Sequence, residues 1–452
     1  MRQFDLIVIG SGSGLDVAVA AANSGLKVAI IEKEKMGGTC LNRGCIPSKM
    51  LIHSANVIDT VKTAGIFGVK ARITGIDFSS IIKRATSLVD KESQGIESSY
   101  KMSDNPVLYK GEAKFIGFKT IKVNDEILKA DKILIAAGSR PSIPNIEGLD
   151  KIDYLTSTDA LRLKKQPRVM TILGGGYIAA ELSYFYGTLG TKINLIQRSS
   201  WLLTKEDDEI AKKYTEIVKK KYNVFLDSEI VRIYKKNGKF FTVIKTRNKK
   251  KTIKSDNLLV VLGVVPNSDI LNLEKTNVKT DEKGFVITNE YLETTTDGIF
   301  ALGDIAGNFM FKHSANLEAE YAVNNIINSK NKKKVDYTAM PHAIFTNPEI
   351  AGVGHTEQSL KEKKIEYIVG KHRYIHTGMG MAIEDKDGFV KFLVDKKTRK
   401  ILGCHIMGTD ASTLIHEVLI AMKSGSGTVD DIIKTVHIHP ALSEVVQRAS
   451  VV

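Results

Sequence analysis

The sequence predicts an α/β protein built around two similar strand–turn–helix units. With 452 residues, the chain is longer than one hydrophobic core usually supports, so we expect two or three domains. A short apolar run, a glycine-rich turn, an alanine-rich helix and a second apolar run follow one another at the amino terminus, and the same order returns with Thr191 in the place of Leu26. Strands and helices that alternate in this way are typical of parallel sheets.

Composition and charge narrow the class of protein. Hydrophobic residues make up 43% and charged residues 26% of the sequence, and no apolar run approaches the roughly 20 residues of a membrane-spanning helix. The amino-terminal segment lacks the long apolar region and cleavage site of a signal peptide, so we expect a cytoplasmic protein without a membrane partner. The formal net charge of +14 comes from dispersed lysine clusters, which we interpret as solvated surface and not as a nucleic-acid-binding face.

The first unit has the pattern of a Rossmann dinucleotide-binding site. A predicted strand, FDLIVIG, leads into the turn GSGSG, and the next predicted strand ends at Glu32. Glycines let the backbone approach a pyrophosphate at a helix amino terminus, and an acid at the second strand end accepts from a ribose hydroxyl. One departure is Leu15, which stands where a third glycine is usual. The residues predicted to bind the dinucleotide here are Gly10, Gly12, Gly14 and Glu32.

The second unit repeats the pattern with a different strand end. In RVMTILGGGYIAAELSYFYGTLGTKINLIQR, Gly174 and Gly176 form the turn and Ala179 takes the third glycine position. Gln197 stands in the place of Glu32 and is followed by Arg198. Because losing a carboxylate and gaining a cation favours a 2′-phosphate, we predict that this site prefers NADP(H) over NAD(H). The alternative is that Arg198 is an ordinary surface arginine.

Two of the three cysteines lie close together, separated by four residues in GGTCLNRGCIPSKM. Three cysteines in a reducing compartment do not make a disulfide scaffold. Cys40 and Cys45 also lack a second pair or nearby histidines at zinc-ligand spacing, so no metal site is predicted. Between two dinucleotide-binding units, a redox pair is favoured over two ordinary buried thiols.

Together these motifs resemble the flavoprotein pyridine nucleotide–disulfide oxidoreductases (class I), and dihydrolipoamide dehydrogenase more than glutathione reductase. The resemblance runs over nearly the whole chain. Beyond the cysteine segment, the motifs that carry it are ILIAAGSRPSIP (133–144), TTTDGIFALGDIAG (294–307), IFTNPEIAGVG (344–354) and HIHPALSE (437–444).

The resemblance implies a domain organisation and a homodimer. An FAD-binding domain would comprise 1–142 and 265–335, interrupted by an NAD(P)-binding domain at 143–264. Residues 336–452 would form an α+β dimerisation domain. In this family each active site takes its base from the partner subunit.

The resemblance also implies roles for the catalytic residues. Cys45 would lie beside the flavin, and Cys40 would exchange with the substrate disulfide. His439 would shuttle the proton that this exchange needs, oriented by Glu444. By contrast, we interpret His437 as a packing neighbour of this pair.

Further cofactor contacts follow from the same resemblance. Lys49 and Glu181 match a pair near the flavin N5, and Asp304 matches an acid that holds the ribityl or phosphate region. Tyr177 stands where glutathione reductase-like members carry a tyrosine over the flavin, with core packing as an equal alternative. Cys404 is interpreted as a structural thiol. The other predicted cofactor-binding residues are Gly38, Thr39, Ala137, Gly138 and Gly263.

The sequence leaves the disulfide substrate open. The segments CIPSK, FKHSANLEAE and LIHEV favour a lipoyl substrate, either free or carried on a protein, and thus a dihydrolipoamide dehydrogenase. Gln197, Arg198 and Tyr177 favour an NADPH-dependent reductase of another small disulfide, similar to mycothione or glutathione reductase. Mercuric reductase is disfavoured because the chain ends in QRASVV, without a further cysteine pair. A basic flavoprotein that binds without catalysis is the alternative from a different class.

Overall fold

The computed structural model describes residues 1–247 and 249–452, which divide into two compact units. Unit 1 comprises Met1–Met50, Ser79–Ser142 and Gly263–Asp336. Unit 2 comprises Leu51–Phe78, Ile143–Leu262 and Tyr337–Val452.

The strands, in chain order, are β1 Arg2–Ile9, β2 Val28–Glu32, β3 Val107–Lys110, β4 Ala113–Gly117, β5 Thr120–Val123, β6 Glu126–Ile135, β7 Ser139–Pro141, β8 Val169–Leu173, β9 Lys192–Ile196, β10 Asn223–Phe225, β11 Ser228–Lys236, β12 Lys239–Thr246, β13 Lys249–Ser255, β14 Asn257–Val260, β15 Val264–Pro266, β16 Ile299–Ala301, β17 Pro341–Ile344, β18 Ile350–Gly354, β19 Tyr367–Arg373, β20 Phe389–Asp395 and β21 Ile401–Met407.

The α-helices are α1 Gly14–Asn23, α2 Gly38–Arg43, α3 Cys45–Thr63, α4 Phe78–Lys101, α5 Ser157–Ala160, α6 Tyr177–Thr188, α7 Asp208–Lys221, α8 Lys312–Ile327, α9 Glu357–Glu362, α10 Gly378–Ala382, α11 Ala411–Lys423, α12 Asp430–Ile433 and α13 Ser443–Ser450. Short 3₁₀ helices lie at Ala64–Phe67, Leu149–Lys151, Asn267–Ile270, Leu273–Lys275, Gly303–Ile305 and Tyr374–His376.

Unit 1 is organised by a mixed sheet with a parallel centre. The strand order is β3-β2-β1-β6-β5-β4, and β16 also pairs with β6. In the parallel part, Ile9 pairs with Ile31 and with Ile135, and Ala301 pairs with Ile135. The carboxyl ends of β1, β2, β6 and β16 therefore meet at one edge of the sheet, which is where ligands bind in open α/β sheets.

The central strand β1 is buried on both of its faces. Leu6 and Val8 pack with helices α1 and α8 on one side, while Ile7 and Ile9 face an apolar cluster that includes Phe115 on the other. Because alternate side chains point to opposite faces, a strand covered on both sides reads as a continuous apolar run, as this one does.

Unit 2 contains three sheets. Strands β10-β9-β8-β14 form a parallel sheet, which repeats the centre of unit 1, and β11-β12-β13 form an antiparallel one. The order β17-β18-β21-β20-β19 gives an antiparallel sheet whose buried face packs against helices α11, α12 and α13. Helix segments and an antiparallel sheet thus follow the parallel α/β part along the chain.

The α/β class predicted from the sequence is confirmed, and the strand–turn–helix order appears at both predicted places. The domain boundaries stay a prediction. Among the described residues, no helix combines the length and apolar character needed to cross a membrane.

Candidate active site

The first glycine turn lies at the carboxyl edge of the unit 1 sheet, between β1 and α1. Gly10 donates its N–H to Ile31 O at 2.9 Å and has φ +105°. A Cβ at this position would stand 2.3 Å from Ala136 O, so a side chain has no room here. At Gly12 a Cβ would meet nothing within 4 Å. The turn is therefore closed on its protein side and open on the other, as a cradle for a phosphate group must be.

Glu32 ends β2 beside this turn and is buried. Its Oε2 accepts hydrogen bonds from the Ser11 N–H at 2.9 Å and from Ser11 Oγ at 2.7 Å, and its Oε1 accepts from the Glu34 N–H at 2.8 Å. Oε1, which accepts only one of these bonds, can accept a further one. The predicted ribose acceptor is thus held in place by the turn itself.

The two neighbouring cysteines are carried by two consecutive helices, and the first of these starts against this turn. Gly37 donates its N–H to Ser11 Oγ at 3.0 Å, and a Cβ at Gly38, the first residue of α2, would stand 2.8 Å from Gly12 Cα. Cys40 lies in α2 and Cys45 is the first residue of α3. Both are half-buried thiols that are not joined by a disulfide. The close approach at Gly38 brings the cysteine segment against the nucleotide-binding turn.

The electrostatics of the pair separate the two thiols. A hydrogen bond to Cys45 raises the pKa of Cys40 well above its ordinary value, and burial and the charge of Cys45 act in the same direction. The ammonium groups of Lys312 and Lys49 oppose this shift. Cys40 therefore keeps its proton, whereas Cys45 occupies the amino terminus of α3, where the helix dipole favours negative charge.

Lys312 is fixed near the pair by its own contacts. It opens α8 and donates from Nζ to Ser13 Oγ at 2.7 Å, and Ser13 Oγ also contacts Asn316 Oδ1 at 3.0 Å. Ser13 belongs to the glycine turn, so these hydrogen bonds join the turn to helix α8. The charge of Lys312 acts on Cys40 from the same helix. Thr39, which precedes Cys40, is exposed.

Asp304 lies at the same edge, in the 3₁₀ turn after β16. Its Oδ2 accepts a hydrogen bond from Ser139 Oγ at 2.6 Å, and burial raises the pKa of its carboxyl group. The preceding Gly303 N–H donates to the buried Glu318 Oε2 at 2.6 Å, which orders the turn. An acid in this position is preorganised to accept a hydrogen bond from a ligand hydroxyl.

Three further residues predicted to bind a cofactor lie in the segments after β6 and before β15. Ala137 and Gly138 follow β6, and both of their carbonyls accept from Asn267, at 2.8 Å from its Nδ2 and at 3.0 Å from its N–H. Gly263 precedes β15, which pairs with β7, and its carbonyl accepts from the Ser142 N–H at 2.9 Å. These contacts hold the two crossing segments side by side.

The second glycine turn, in unit 2, repeats the first. Gly174 donates its N–H to Ile196 O at 2.9 Å, and at Gly176 a Cβ would meet nothing within 4 Å. The Gln197 side chain packs under the turn, because its Cδ lies 3.1 Å from the Cβ position of Gly175. Arg198, at the end of β9, is exposed. No carboxylate within the described part of the chain is seen to pair with it.

Two predicted residues lie on helix α6, which starts from this turn. Tyr177 is the first residue of the helix, and its hydroxyl donates to Glu206 Oε1 at 2.5 Å. Glu181, one turn later, accepts from the Phe345 N–H at 3.1 Å. Lys49, which sequence reasoning paired with Glu181, has a contact of 3.4 Å between its Nζ and Ser48 Oγ.

The predicted base and its acid form a pair in unit 2. His439 Nδ1 lies 3.1 Å from both carboxylate oxygens of Glu444. The hydrogen bond from His439 lowers the pKa of Glu444 and outweighs the opposing effect of burial. The His439 side chain is 71% exposed and that of Glu444 only 9%. The buried Glu444 thus fixes the Nδ1 side of the imidazole, and the rest of the ring is exposed.

His437 and Cys404, which were predicted to lie outside the active site, are packed in the interior of unit 2. His437 packs with Glu417, and its side chain is only 5% exposed. Cys404 is buried in β21 inside the apolar core of the last sheet. A basic cavity of about 660 Å³ in unit 2 is lined by residues of β8, β9, β10, β13 and the end of α7, and none of them is a predicted site residue. Among the described residues, no cluster of three or more His, Cys, Asp or Glu could hold a metal ion.

Comparison with known proteins identifies the family. The family described as pyridine nucleotide-disulphide oxidoreductase matches residues 4–319, and its dimerisation domain matches residues 340–450. The chain belongs to the pyridine nucleotide-disulphide oxidoreductases. The resemblance seen in the sequence is therefore confirmed, and the protein is an oxidoreductase that uses FAD and a nicotinamide cofactor. The dimerisation domain supports a homodimer.

Relatives within the family differ in substrate. The chain is 34% identical to a mercuric reductase of Staphylococcus aureus over 95% of its own length and 79% of the relative. It is 34% identical to a dihydrolipoyl dehydrogenase of Geobacillus stearothermophilus (99% and 96%) and 33% identical to a mycothione reductase of Mycobacterium tuberculosis (99% and 99%).

A solved structure with the same fold is the Cu(II) complex of the HOCl-induced flavoprotein disulfide reductase RclA from Escherichia coli. It shares 26% identity and a TM-score of 0.89, and the match covers 100% of both chains. The chain is about equally identical to enzymes that act on different substrates. Its own substrate therefore has to be argued from its own residues.

The residues of unit 1 fit the flavin that the family uses. The turn at Gly12 is open, Glu32 and Asp304 are preorganised acceptors, and the half-buried thiols lie on two consecutive helices of which the first begins beside the turn. Sequence reasoning missed Ser11, Lys312 and Glu318. Ser11 lies inside the glycine-turn motif and Lys312 inside the segment FKHSANLEAE. The sequence therefore indicated where these residues lie, but not which groups they contact.

Proposed function

We propose that this chain transfers electrons between a nicotinamide nucleotide and a small disulfide through FAD and the Cys40–Cys45 pair, with the lipoyl group as substrate. The observation that carries this proposal is the hydrogen-bonded thiol pair, whose first cysteine lies on a helix that starts against the first glycine turn. A lipoyl substrate is supported by the dihydrolipoyl dehydrogenase relative, which matches 99% of this chain. The partner would then be a lipoyl-bearing protein, and a pair that cycles between dithiol and disulfide suits a reducing, cytoplasmic location.

The residues of the chain bind and orient the two nucleotides. Gly10, Gly12 and Glu32 would hold the FAD pyrophosphate and ribose, and Gly174 with Gly176 would hold the nicotinamide nucleotide. When bound, the flavin accepts a hydride from the nicotinamide and supplies two electrons to a disulfide.

Thiol exchange then follows from the chemistry of the pair. The Cys40 thiolate attacks one substrate sulfur, breaks the S–S bond and forms a mixed disulfide, and the leaving sulfur takes up a proton. Cys45 next attacks the Cys40 sulfur, which releases the second substrate thiol and leaves the enzyme pair oxidised. Two electrons have moved from the enzyme dithiol to the substrate, and the reverse sequence oxidises a dithiol.

A proton shuttle is needed because the pKa of Cys40 is raised. A thiol that holds its proton is a poor nucleophile, so an external base must remove that proton. His439 is suited to this role because its imidazole is exposed while Glu444 fixes its Nδ1 side. The family arrangement would bring this base from the partner subunit.

A second candidate is an NADPH-dependent reductase of another low-molecular-weight disulfide. The exposed Arg198 at the end of β9 favours a nucleotide with a 2′-phosphate, and the mycothione reductase relative matches 99% of the chain. Both candidates use the same thiols and base and differ in the substrate cleft and the nucleotide.

The deciding experiment is steady-state reduction of lipoamide by the purified flavoprotein, with NADPH and NADH compared, in the wild type and in His439→Ala. We expect lipoamide turnover, and a loss of about 10²- to 10⁴-fold in the variant, as for a missing acid–base group. His437→Ala is the matched control, since His437 also pairs with a glutamate but is packed inside, and it should keep most of the turnover.

Other outcomes separate the alternatives. Reduction of glutathione or mycothiol disulfide without lipoamide turnover would favour the second candidate, and reduction of Hg(II) alone would favour a metal-ion reductase. A flavin that is never reduced by either nucleotide would leave only a non-catalytic binding module and contradict the proposal.

A further inference from the structure

Three side chains that are far apart in sequence form a hydrogen-bonded group in unit 2. The Tyr177 hydroxyl donates to Glu206 Oε1 at 2.5 Å, and His342 Nε2 lies 2.8 Å from Glu206 Oε2. The rings of Tyr177 and His342 are nearly parallel, with an interplanar angle of 10° and centroids 6.2 Å apart. Glu206 therefore holds one donor on each carboxylate oxygen, and the two donors also face each other.

The carboxylate at the centre of this group is fully buried. The side-chain exposure of Glu206 is 0%, and that of His342 is 18%. Burial acts to raise the pKa of Glu206, but the hydrogen bonds from His342 and Tyr177 prevail and hold it below its ordinary value. Burial raises the pKa of Tyr177, so the phenol stays protonated and donates. A buried charge of this kind persists only while its hydrogen-bond donors remain in place.

The backbone fixes Glu206 independently of Tyr177. The loop between β9 and α7 is tied to the second glycine turn, because the Leu203 N–H donates to Gly175 O at 2.7 Å. The Glu206 carbonyl accepts from Gln358 Nε2 at 2.8 Å. Glu206 is therefore a fixed acceptor beside the turn, and it holds the Tyr177 hydroxyl through a hydrogen bond.

The place of His342 is equally constrained. It lies in strand β17 opposite Gly352, and a Cβ at Gly352 would stand 2.7 Å from His342 Cε1. Only a glycine at that position leaves room for the imidazole. The Tyr177 ring thus lies beside an imidazole that the sheet holds in place.

We propose that Glu206 and His342 are positioning residues that order the Tyr177 ring for the nicotinamide nucleotide bound at Gly174 and Gly176. The inference rests on the proposed nucleotide site, and it assigns residues outside every motif of the sequence. Tyr177 is the first residue of α6, directly after the turn, so the position of its ring shapes the ligand side of that turn. An ordered ring spares the nucleotide the cost of ordering it on binding.

The test is calorimetric titration of the oxidised holoenzyme with NADP⁺, and separately with NAD⁺, which measures affinity without turnover. Tyr177→Phe removes the hydroxyl, and Glu206→Gln removes the charge at constant size. We expect each to weaken nucleotide binding by about 2- to 12-fold, the cost of ordering one side chain. The double variant should bind as weakly as Tyr177→Phe alone, because Glu206 acts through the tyrosine.

Controls separate positioning from a merely structural role. Tyr184→Phe removes a hydroxyl from the same helix, where it donates to Asn56 Oδ1 at 2.8 Å, and should leave nucleotide affinity unchanged. If Glu206→Gln does not fold, His342→Gln with Tyr177→Phe gives the same cycle. Unchanged affinity in Tyr177→Phe, or additive effects in the double variant, would overturn the proposal. A wild type that binds nucleotide but reduces no disulfide would contradict the proposed function alone.

Discussion

Single side chains distinguish the two glycine turns. Gly10 and Gly174 make the same backbone contact with a neighbouring strand, yet the following strand ends differ in charge. Glu32 is buried and held by Ser11, whereas Arg198 is exposed. A carboxylate suits ribose hydroxyls and a guanidinium suits a phosphate, so we expect the second turn to favour a nucleotide with a 2′-phosphate.

This difference gives the first prediction, for Arg198→Ala. Hydrogen bonds to a charged group contribute about 1.5–3 kcal/mol, or about 10- to 150-fold. We expect kcat/KM with NADPH to fall by that factor while kcat/KM with NADH changes little. Lys192→Ala, at the other end of β9, is the matched control and should leave both values unchanged. A nucleotide preference unaltered by loss of Arg198 would show that this arginine does not contact the 2′-phosphate.

At the scale of elements, the strand–turn–helix units could be predicted and the contacts between distant segments could not. The strands β1, β2, β8 and β9 follow from short apolar runs bounded by glycines, which is local information. Glu206, His342 and Lys391 carry no motif, because their partners come from other elements and are decided by tertiary packing. The Cys40–Cys45 spacing was visible in the sequence, but the effect of Lys312 on Cys40 required the structure.

The glycine turn supports a second prediction that separates folding from flavin binding. Gly10→Ala places a Cβ against Ala136 O at a positive φ, and the strained backbone alone costs about 1–3 kcal/mol. Gly12→Ala adds a methyl group only to open space on the ligand side. We expect Gly10→Ala to lower the thermal stability of the apoprotein, and Gly12→Ala to keep that stability while reducing the flavin content after purification. Equal apoprotein stabilities in the two variants would contradict this account.

A third prediction concerns Lys391 in strand β20. Its side chain is 2% exposed, and its Nζ lies 2.8 Å from Asp207 Oδ1 and 2.6 Å from Glu357 Oε2. Removing Lys391 leaves the fully buried Asp207 carboxylate without its ammonium partner, so Lys391→Met should lower the free energy of unfolding by about 3–5 kcal/mol. Lys371→Met, which breaks an exposed ion pair with Glu209, should cost about 0–1 kcal/mol. Denaturant unfolding at neutral pH measures both.

The ion pairs of Lys391 with Asp207 and Glu357 also predict how the free energy of unfolding changes at acid pH. Burial opposes ionisation, but hydrogen bonds from Lys361 and Lys391 lower the pKa of Glu357 to about 2, and Lys391 helps to lower that of Asp207. A carboxyl group whose pKa is lower in the folded than in the unfolded state stabilises the folded state at pH values above its ordinary pKa. This stabilisation is lost as the pH falls toward the pKa of the folded state. Unfolding free energy should therefore fall between about pH 5 and pH 2. In Lys391→Met this fall should be smaller.

At the scale of the whole molecule, we expect the proposed active site to need two copies of the chain. The His439 imidazole is presented outward, and the apolar side chains of Val436 and Ile438 beside it are 93% and 78% exposed. Exposed apolar residues around a polar catalytic group are typical of an interface. They lie in the segment that matches the family's dimerisation domain, which supports pairing of two subunits through this surface.

Complementation between inactive subunits tests whether the base crosses the interface. Cys45→Ser lacks a thiol, His439→Ala lacks the base, and each homodimer should be inactive toward disulfides. If the base comes from the partner, a heterodimer restores one complete site from the thiols of one chain and the histidine of the other. After unfolding and refolding of an equal mixture, random pairing should restore about a quarter of the wild-type sites, because half of the dimers are mixed and each has one working site of two. A mixture as inactive as its parents, although gel filtration shows dimers and both chains bind flavin, would place His439 in the same subunit as the thiols it serves.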